Sequence, residues 1–193
     1  MAIVEEMEPA RADVAFMDYL EAGRTIALGK QGRLVVGYLK SCLRETVSGG
    51  TVTIGTEKSK VTGGKISRER VECDGGHLLL TPEQSGKSAA IVFRKGNLST
   101  GSGSLQPSLR IYSLQPILQV QFRPATVTIE RLDRSQSLLT VKLQGGVADL
   151  AAQKRALERG GLYRVTGGGV SRIVKIDDYA ASGGSLISRL IAF

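Results

Sequence analysis

The sequence predicts a mostly β protein: a roll or barrel of short stacked strands joined by Gly turns, then a second, β-sandwich-like domain with one short helix. Three observations carry this. Glycine is abundant, at 24 of 193 residues. Val, Ile and Thr recur in short clusters bounded by those glycines, which is the text of strands and turns. Within the clusters apolar and polar residues alternate, the period of a half-buried strand. Apolar residues at 41% and charged residues at 23% supply enough of both for a packed core under a hydrated surface.

The elements follow in order. Residues 1–12 are polar and read as a disordered N-terminus. The segment DVAFMDYLEA (13–22) fits both periods: Val14, Met17 and Leu20 at helical spacing, Val14 and Phe16 on one strand face. Gly23 ends it either way. A first β domain spans 13–95, with strand text in TIALG, RLVVGYLKSCLRETV, TVTIG, KVT, KISRERVEC, HLLLT and AAIVF. Aligned on glycine pairs, GGTVTIGTEKSKVT, GGKISRERVECD and GGHLLLTPEQSGKS form a quasi-repeat of 12 to 14 residues. Each unit suggests one strand-turn-strand rung, with rungs stacked over Val52, Ile54, Ile66 and Val71.

GNLSTGSGSLQPS (96–108) is Gly/Ser-rich and reads as the linker. The second domain, 109–193, opens with LRIYSL, ILQVQF, TVTIERL and SLLTVKL. ADLAAQKRALERGG (148–161) is the best helix: Asp149 at its start, Val147, Leu150, Ala151 and Leu157 on one face, Lys154, Arg155 and Arg159 toward its end, Gly160 and Gly161 to stop it. LYRVTGGGVSRIVKID is a hairpin with Thr166 to Gly169 at the turn. SLISRLIAF is an apolar strand that should dock.

The motifs that would carry chemistry fail on spacing. SGKS (85–88) has Thr81 where a nucleotide-binding loop needs Gly, and no helix text follows. TGGGVS (166–171) lacks the third Gly of a dinucleotide loop and joins two strands. His77 is the only histidine and has no marked nucleophile beside it; a cryptic hydrolase using His77 is one alternative reading. Glu69 and Glu72 alternate with Arg68 and Arg70, as cross-strand charge pairs do. Asp74, Asp177 and Asp178 show no metal-ligand spacing. No catalytic residue, cofactor or metal ligand is therefore assigned, and the chain reads as a non-enzyme.

Charge points to partners instead. Net charge is +8, from 26 Lys+Arg against 18 Asp+Glu, which favours anionic ligands. Tyr112, Phe122 and Tyr163 are scattered rather than clustered as base-stacking platforms are, so nucleic acid is disfavoured, and a cytosolic polyanion- or nucleic-acid-binding module stays as the second alternative. Arg159, Arg164 and Arg172 are the candidate contact surface. No stretch approaches the roughly 20 apolar residues of a membrane span. The start MAIVEEMEPARADVAF has no export-signal pattern, and it also suits a chain whose signal has been removed.

Two cysteines, Cys42 and Cys73, belong to no metal motif. In an oxidising compartment they would pair, closing the 42–73 loop and stabilising the fold by about 3–4 kcal/mol. In a reducing one they would be two buried thiols.

EAGRTIALGKQGRLVVGYL followed by GGTVTIGTEKSKV resembles the FecR-type periplasmic domain in its spacing of glycine and apolar residues, over residues 13–95. Cys42 and Cys73 depart from that pattern, as does the lack of an anchoring segment. The resemblance implies a periplasmic, non-enzymatic β domain for sensing, regulation or envelope contacts, and no catalytic residues to carry over. Residues 109–193 look immunoglobulin-like at the level of fold alone. The expectation is thus a cell-envelope binding, sensing or regulatory protein whose partner is another envelope protein or an anionic polymer, located in the periplasm, with the cytoplasm as alternative.

Overall fold

A computed structural model of the chain describes residues 1–75, 106–121, 126–135 and 138–193. It is mostly β, with curled sheets and a single short helix among the described residues. The chain divides into two compact units: residues 1–76 with 185–188, and residues 77–184 with 189–193. The expected linker at 96–108 lies outside the described residues except for its last three.

The first unit is one antiparallel sheet of six strands: β1 (Ala2–Glu8), β2 (Tyr19–Leu20), β3 (Thr25–Tyr38), β4 (Leu43–Thr53), β5 (Lys60–Thr62) and β6 (Lys65–Arg70). Their order is β2-β1-β3-β4-β5, and β6 also pairs with β4. Alternation puts Ala2, Val4, Ile26, Leu28, Leu34, Val36, Tyr38, Val47 and Val52 into one core with Val14, Leu20 and Ile54.

Residues 1–12, expected to be disordered, contain β1. Its Ala2, Ile3 and Val4 are wholly buried, and it pairs with β2 on one side and β3 on the other. Two of the three acids that made this stretch look unstructured are partnered: Glu5 with Arg44, Glu6 with Arg33.

The glycine pairs also act differently from the expected rungs. Gly49 and Gly50 lie inside β4 and do not end it. They stand opposite Gly29 in β3 on one side and the Gly63-Gly64 turn between β5 and β6 on the other, so three strands bend at one level. Gly50 has a φ of +73°, and a Cβ there would lie 2.4 Å from the Thr62 carbonyl oxygen. Only glycine permits both the left-handed backbone and that approach.

A buried polar knot fixes the loop after β4. Glu45 has no exposed surface. Its carboxylate accepts from Arg68 Nε at 2.7 Å and from the Ser59 N–H at 3.0 Å. The Ser59 hydroxyl lies 2.8 Å from the Tyr38 hydroxyl, which itself accepts from the Gly55 N–H. Burial raises the Tyr38 pKa, so the phenol stays neutral. Every polar group of the knot has a partner, which is the condition for burying it.

On the other face, residues 185–188 return to this unit. Ile187 lies over Gly37, where a Cβ would be 2.6 Å from its Cγ2. The Leu186 N–H donates to Glu5 Oε1. Cys42, just before β4, and Cys73, just after β6, stand at disulfide distance, their Cα atoms 5.6 Å apart.

The second unit has two sheets. One holds β7 (Leu109–Ser113), β9 (Thr126–Arg131), β10 (Leu139–Lys142), β12 (Leu162–Gly167) and β13 (Val170–Ala181), in the order β10-β9-β12-β13-β7. The other holds β8 (Ile117–Gln119), β11 (Val147–Asp149) and β14 (Leu190–Ala192), in the order β11-β8-β14. Pairings are antiparallel except β7 with β13 and β8 with β14. The hairpin forms as expected, with Gly168 and Gly169 at its tip.

The helix expected over 148–161 does not form. Residues 147–149 are β11, paired with β8. The Asp149 side chain then accepts from the Ala151 N–H, and a single turn ends at Lys154, whose φ is +53°. The buried residues are Ala148, Leu150 and Leu157, so the apolar spacing served a strand and a loop plug. The short helix lies instead in the tail, α1 (Leu186–Arg189), leading into β14.

Candidate functional site

Charge separates the units. The first carries 11 Lys+Arg against 11 Asp+Glu, the second 15 against 7, so the whole excess of +8 belongs to the second. Within it, most described cations are already matched. Arg110 pairs with Asp177, Arg164 with Glu130, and Arg189 with Asp149. Lys142, Lys154 and Arg155 are exposed and have no acidic or hydrogen-bonding partner among the described residues.

These three come together for a local reason. The Gln153 side-chain amide donates to the Lys142 carbonyl at 2.9 Å, which holds the 150–155 turn beside the end of β10. The left-handed backbone at Lys154 then sends the chain back toward the sheet. Leu157 follows as a buried plug, its N–H donating to the Leu114 carbonyl.

Beside this turn a cavity of about 360 Å³ opens. Ile129, Leu139, Leu157 and the Tyr163 ring form its apolar wall, and Leu138, 57% exposed, forms part of its lip. Ile129 and Leu139 are cross-strand partners, as are Arg131 and Tyr163, so strand register sets this wall. Arg155 lines the cavity from the turn.

Arg131 is the wall's one nearly buried cation, its side chain 6% exposed. Its guanidinium carbon stands 5.4 Å from the Tyr163 ring centroid. Asp133 accepts from its Nε at 2.7 Å, and Glu158 lies 3.0 Å from its third nitrogen. These hydrogen bonds, Asp133 foremost, raise the Arg131 pKa further and hold Asp133 below the usual carboxylate range. Glu158 is lowered too, by Arg131 and then Arg134, while its N–H donates to the Tyr163 hydroxyl. Arg131 is therefore charge-matched by two acids, although its buried Nη1 makes no hydrogen bond among the described residues. Arg155 is the cation left to meet a ligand.

The contact surface expected from Arg159, Arg164 and Arg172 is not assembled. Arg172 is 2% exposed and donates to the Ala192 carbonyl at 2.7 Å, joining β13 to β14 inside the unit. It shares a face with Val174 and Ile176, whereas Arg164 lies on the opposite face and pairs with Glu130. Arg159 donates from a loop to the Ala180 carbonyl. Asp177 and Asp178 occupy a bulge in β13. Burial would raise Asp177, but the Tyr179 N–H and Arg110 outweigh it and hold the carboxylate low. His77 and the SGKS segment lie outside the described residues, as does Phe122.

Among the described residues, no group of three or more His, Cys, Asp and Glu is arranged to hold a metal, and no helix is long and apolar enough to cross a membrane. No protein-family model, curated protein or solved structure matches the chain.

Proposed function

We propose that the chain is a non-enzymatic binding protein of an oxidising compartment such as the periplasm, with the first unit as scaffold and the second as the unit that holds an anionic partner. The observation that carries this is the concentration of all net charge in the second unit, with Lys142, Lys154 and Arg155 unmatched at one place. Unmatched surface cations create a local positive potential that attracts polyanions and releases their counterions on contact. The Cys42–Cys73 pair supports the compartment, since such bridges persist where thiols are not kept reduced. The FecR-type spacing in the first unit supports an envelope role of the sensing or regulatory kind. The site contains cations and apolar walls, which bind and orient, and no nucleophile with an adjacent base.

Retention of the full chain on immobilised heparin, as a generic anionic polymer, tests the reading. Affinity should fall steeply and linearly with log salt. The triple variant Lys142→Glu, Lys154→Glu, Arg155→Glu should lose roughly tenfold to a hundredfold in affinity at low salt, at about 0.5–1 kcal/mol per exposed charge. Equal retention of the two proteins would sink the proposal.

A further inference from the structure

The cavity beside the basic turn has more specific properties than a charged patch, and they restrict what can enter it. Its volume of about 360 Å³ falls at the small end of ligand pockets, roughly 300–1,000 Å³. It has room for a ring system or a short branched chain and not for a polymer. Its wall is mixed, with an apolar part made by Ile129, Leu139, Leu157 and the Tyr163 ring, and with Leu138 exposed at the lip. A large apolar side chain held in water at a cavity mouth loses nothing when a ligand covers it.

The polar groups of the wall are equally selective. Arg131 is already ion-paired with Asp133 and Glu158, although its buried Nη1 makes no hydrogen bond among the described residues, so a ligand's charge would compete with two acids there. Arg155 has no such partner among the described residues. A ligand therefore gains by presenting an apolar body to the wall and one negative group to Arg155. A neutral apolar ligand would leave Arg155 unmatched, and a small inorganic anion would leave the wall wet.

We infer that this cavity binds one small amphipathic anion, an aromatic or branched carboxylate, sulfonate or phosphate ester, with its apolar part against Ile129, Leu139 and Tyr163 and its charge at Arg155. The inference deepens the anionic-partner reading and rests on it for the sign of the ligand. The same chemistry arises as a free metabolite or as the end group of a larger molecule; a polymer's end group enters and its interior residues do not.

Two fluorescent probes on the full chain test this: anilinonaphthalene sulfonate, and the uncharged N-phenyl-1-naphthylamine as its neutral counterpart. The sulfonate should bind at one site per chain and be displaced by a small aromatic carboxylate. Arg155→Glu should weaken the sulfonate about three- to tenfold, as loss of one partly exposed ion pair does, and leave the neutral probe within twofold. Leu139→Trp, which fills the cavity, should abolish both signals while heparin retention persists and a cooperative thermal unfolding transition shows that the variant is folded. Leu138→Ala, a change at an exposed position, should weaken both probes and guards against misfolding of the Trp variant. Sulfonate binding unchanged by Arg155→Glu, or both probes unchanged by Leu138→Ala, overturns the inference. If Arg155→Glu lowers heparin retention and leaves the sulfonate untouched, the polymer reading survives and the cavity ligand does not. Displacement by free small carboxylates but not by an anionic polymer with blocked ends identifies a free small molecule; displacement by a polymer with free ends identifies an end group.

Discussion

In the first unit, Glu5, Glu6 and Glu45 each meet an arginine, and acids and bases are equal in number. In the second, cations outnumber acids two to one, and three adjacent ones meet no acid. The first unit also has both cysteines and the glycine-bent sheet, features that fix a shape. The second has the cavity with an apolar lip. The first unit has unmatched cations too, Lys30 and Lys65 among them, but its acids balance them in number and the excess lies in the second. The proposed function rests on this contrast, with the first half as scaffold and the second as the binding half.

The comparison can be broken at several points. The largest effect is expected at the bridge. Cys42→Ser with Cys73→Ser should lower the stability of the first unit by about 3–4 kcal/mol in denaturant unfolding, from loop-closure entropy alone. Heparin retention of the still-folded protein should not change. Thiol titration of the denatured, unreduced protein should find no free thiol; two would move the protein to a reducing compartment.

The next effect is at the polar knot. Glu45→Ala leaves the Ser59 N–H and the Arg68 Nε without their acceptor, at a cost of about 1–3 kcal/mol. The urea midpoint would show it. A change under a few tenths of a kcal/mol would mean that water replaces the carboxylate freely.

Glu5 gives a smaller, pH-dependent effect. Burial raises its pKa above the ordinary 4.5, with Arg44 and the backbone of Leu186 and Ile187 offsetting only part of the rise. The folded state therefore holds this proton more tightly than the unfolded one. The resulting stabilisation is complete below the unfolded pKa and is lost as pH rises through the folded one. Relative to the native chain, Glu5→Gln should gain stability as pH climbs from below 4.5 toward neutrality. A pH-independent difference between the two proteins would contradict the raised pKa.

The smallest effect is a null one. Lys30→Glu with Lys65→Glu reverses two exposed charges on the first unit, beside the glycine bend. Heparin affinity should stay within twofold. A loss as large as that of the second-unit triple variant would erase the division of labour.

Much of the fold was legible, because strand text and glycine punctuation are local signals. The failures had nonlocal causes. MAIVEEME reads as polar until β2, β3 and two arginines are placed around it. ADLAAQKRALERGG has apolar residues at helical spacing, yet β8 captures 147–149 by pairing, and Leu157 is buried from a loop. Arg172 was the sharper lesson. Strand parity places it with Val170, Val174 and Ile176, but Ile173 on the other face blurs the alternation, so an arginine inside the unit was read as a surface cation. The net charge of each half could be counted from the sequence. Which cations remained unmatched could not, because that depends on where each carboxylate lies after folding.

The late tail has a consequence for the order in which the protein acquires its shape during synthesis. Leu190 pairs with Ile117 in a parallel ladder, and Arg172 hydrogen-bonds the Ala192 carbonyl. Residues 185–188 belong with the first unit, where Leu186 meets Glu5, 181 residues earlier in the chain. Parallel, long-range pairings form slowly because their loops must close before any contact rewards them. Neither unit has its full set of contacts until residues 185–193 leave the ribosome. Both halves thus become complete only after translation of residues 185–193, with the β8 edge and Glu5 lacking these partners until then.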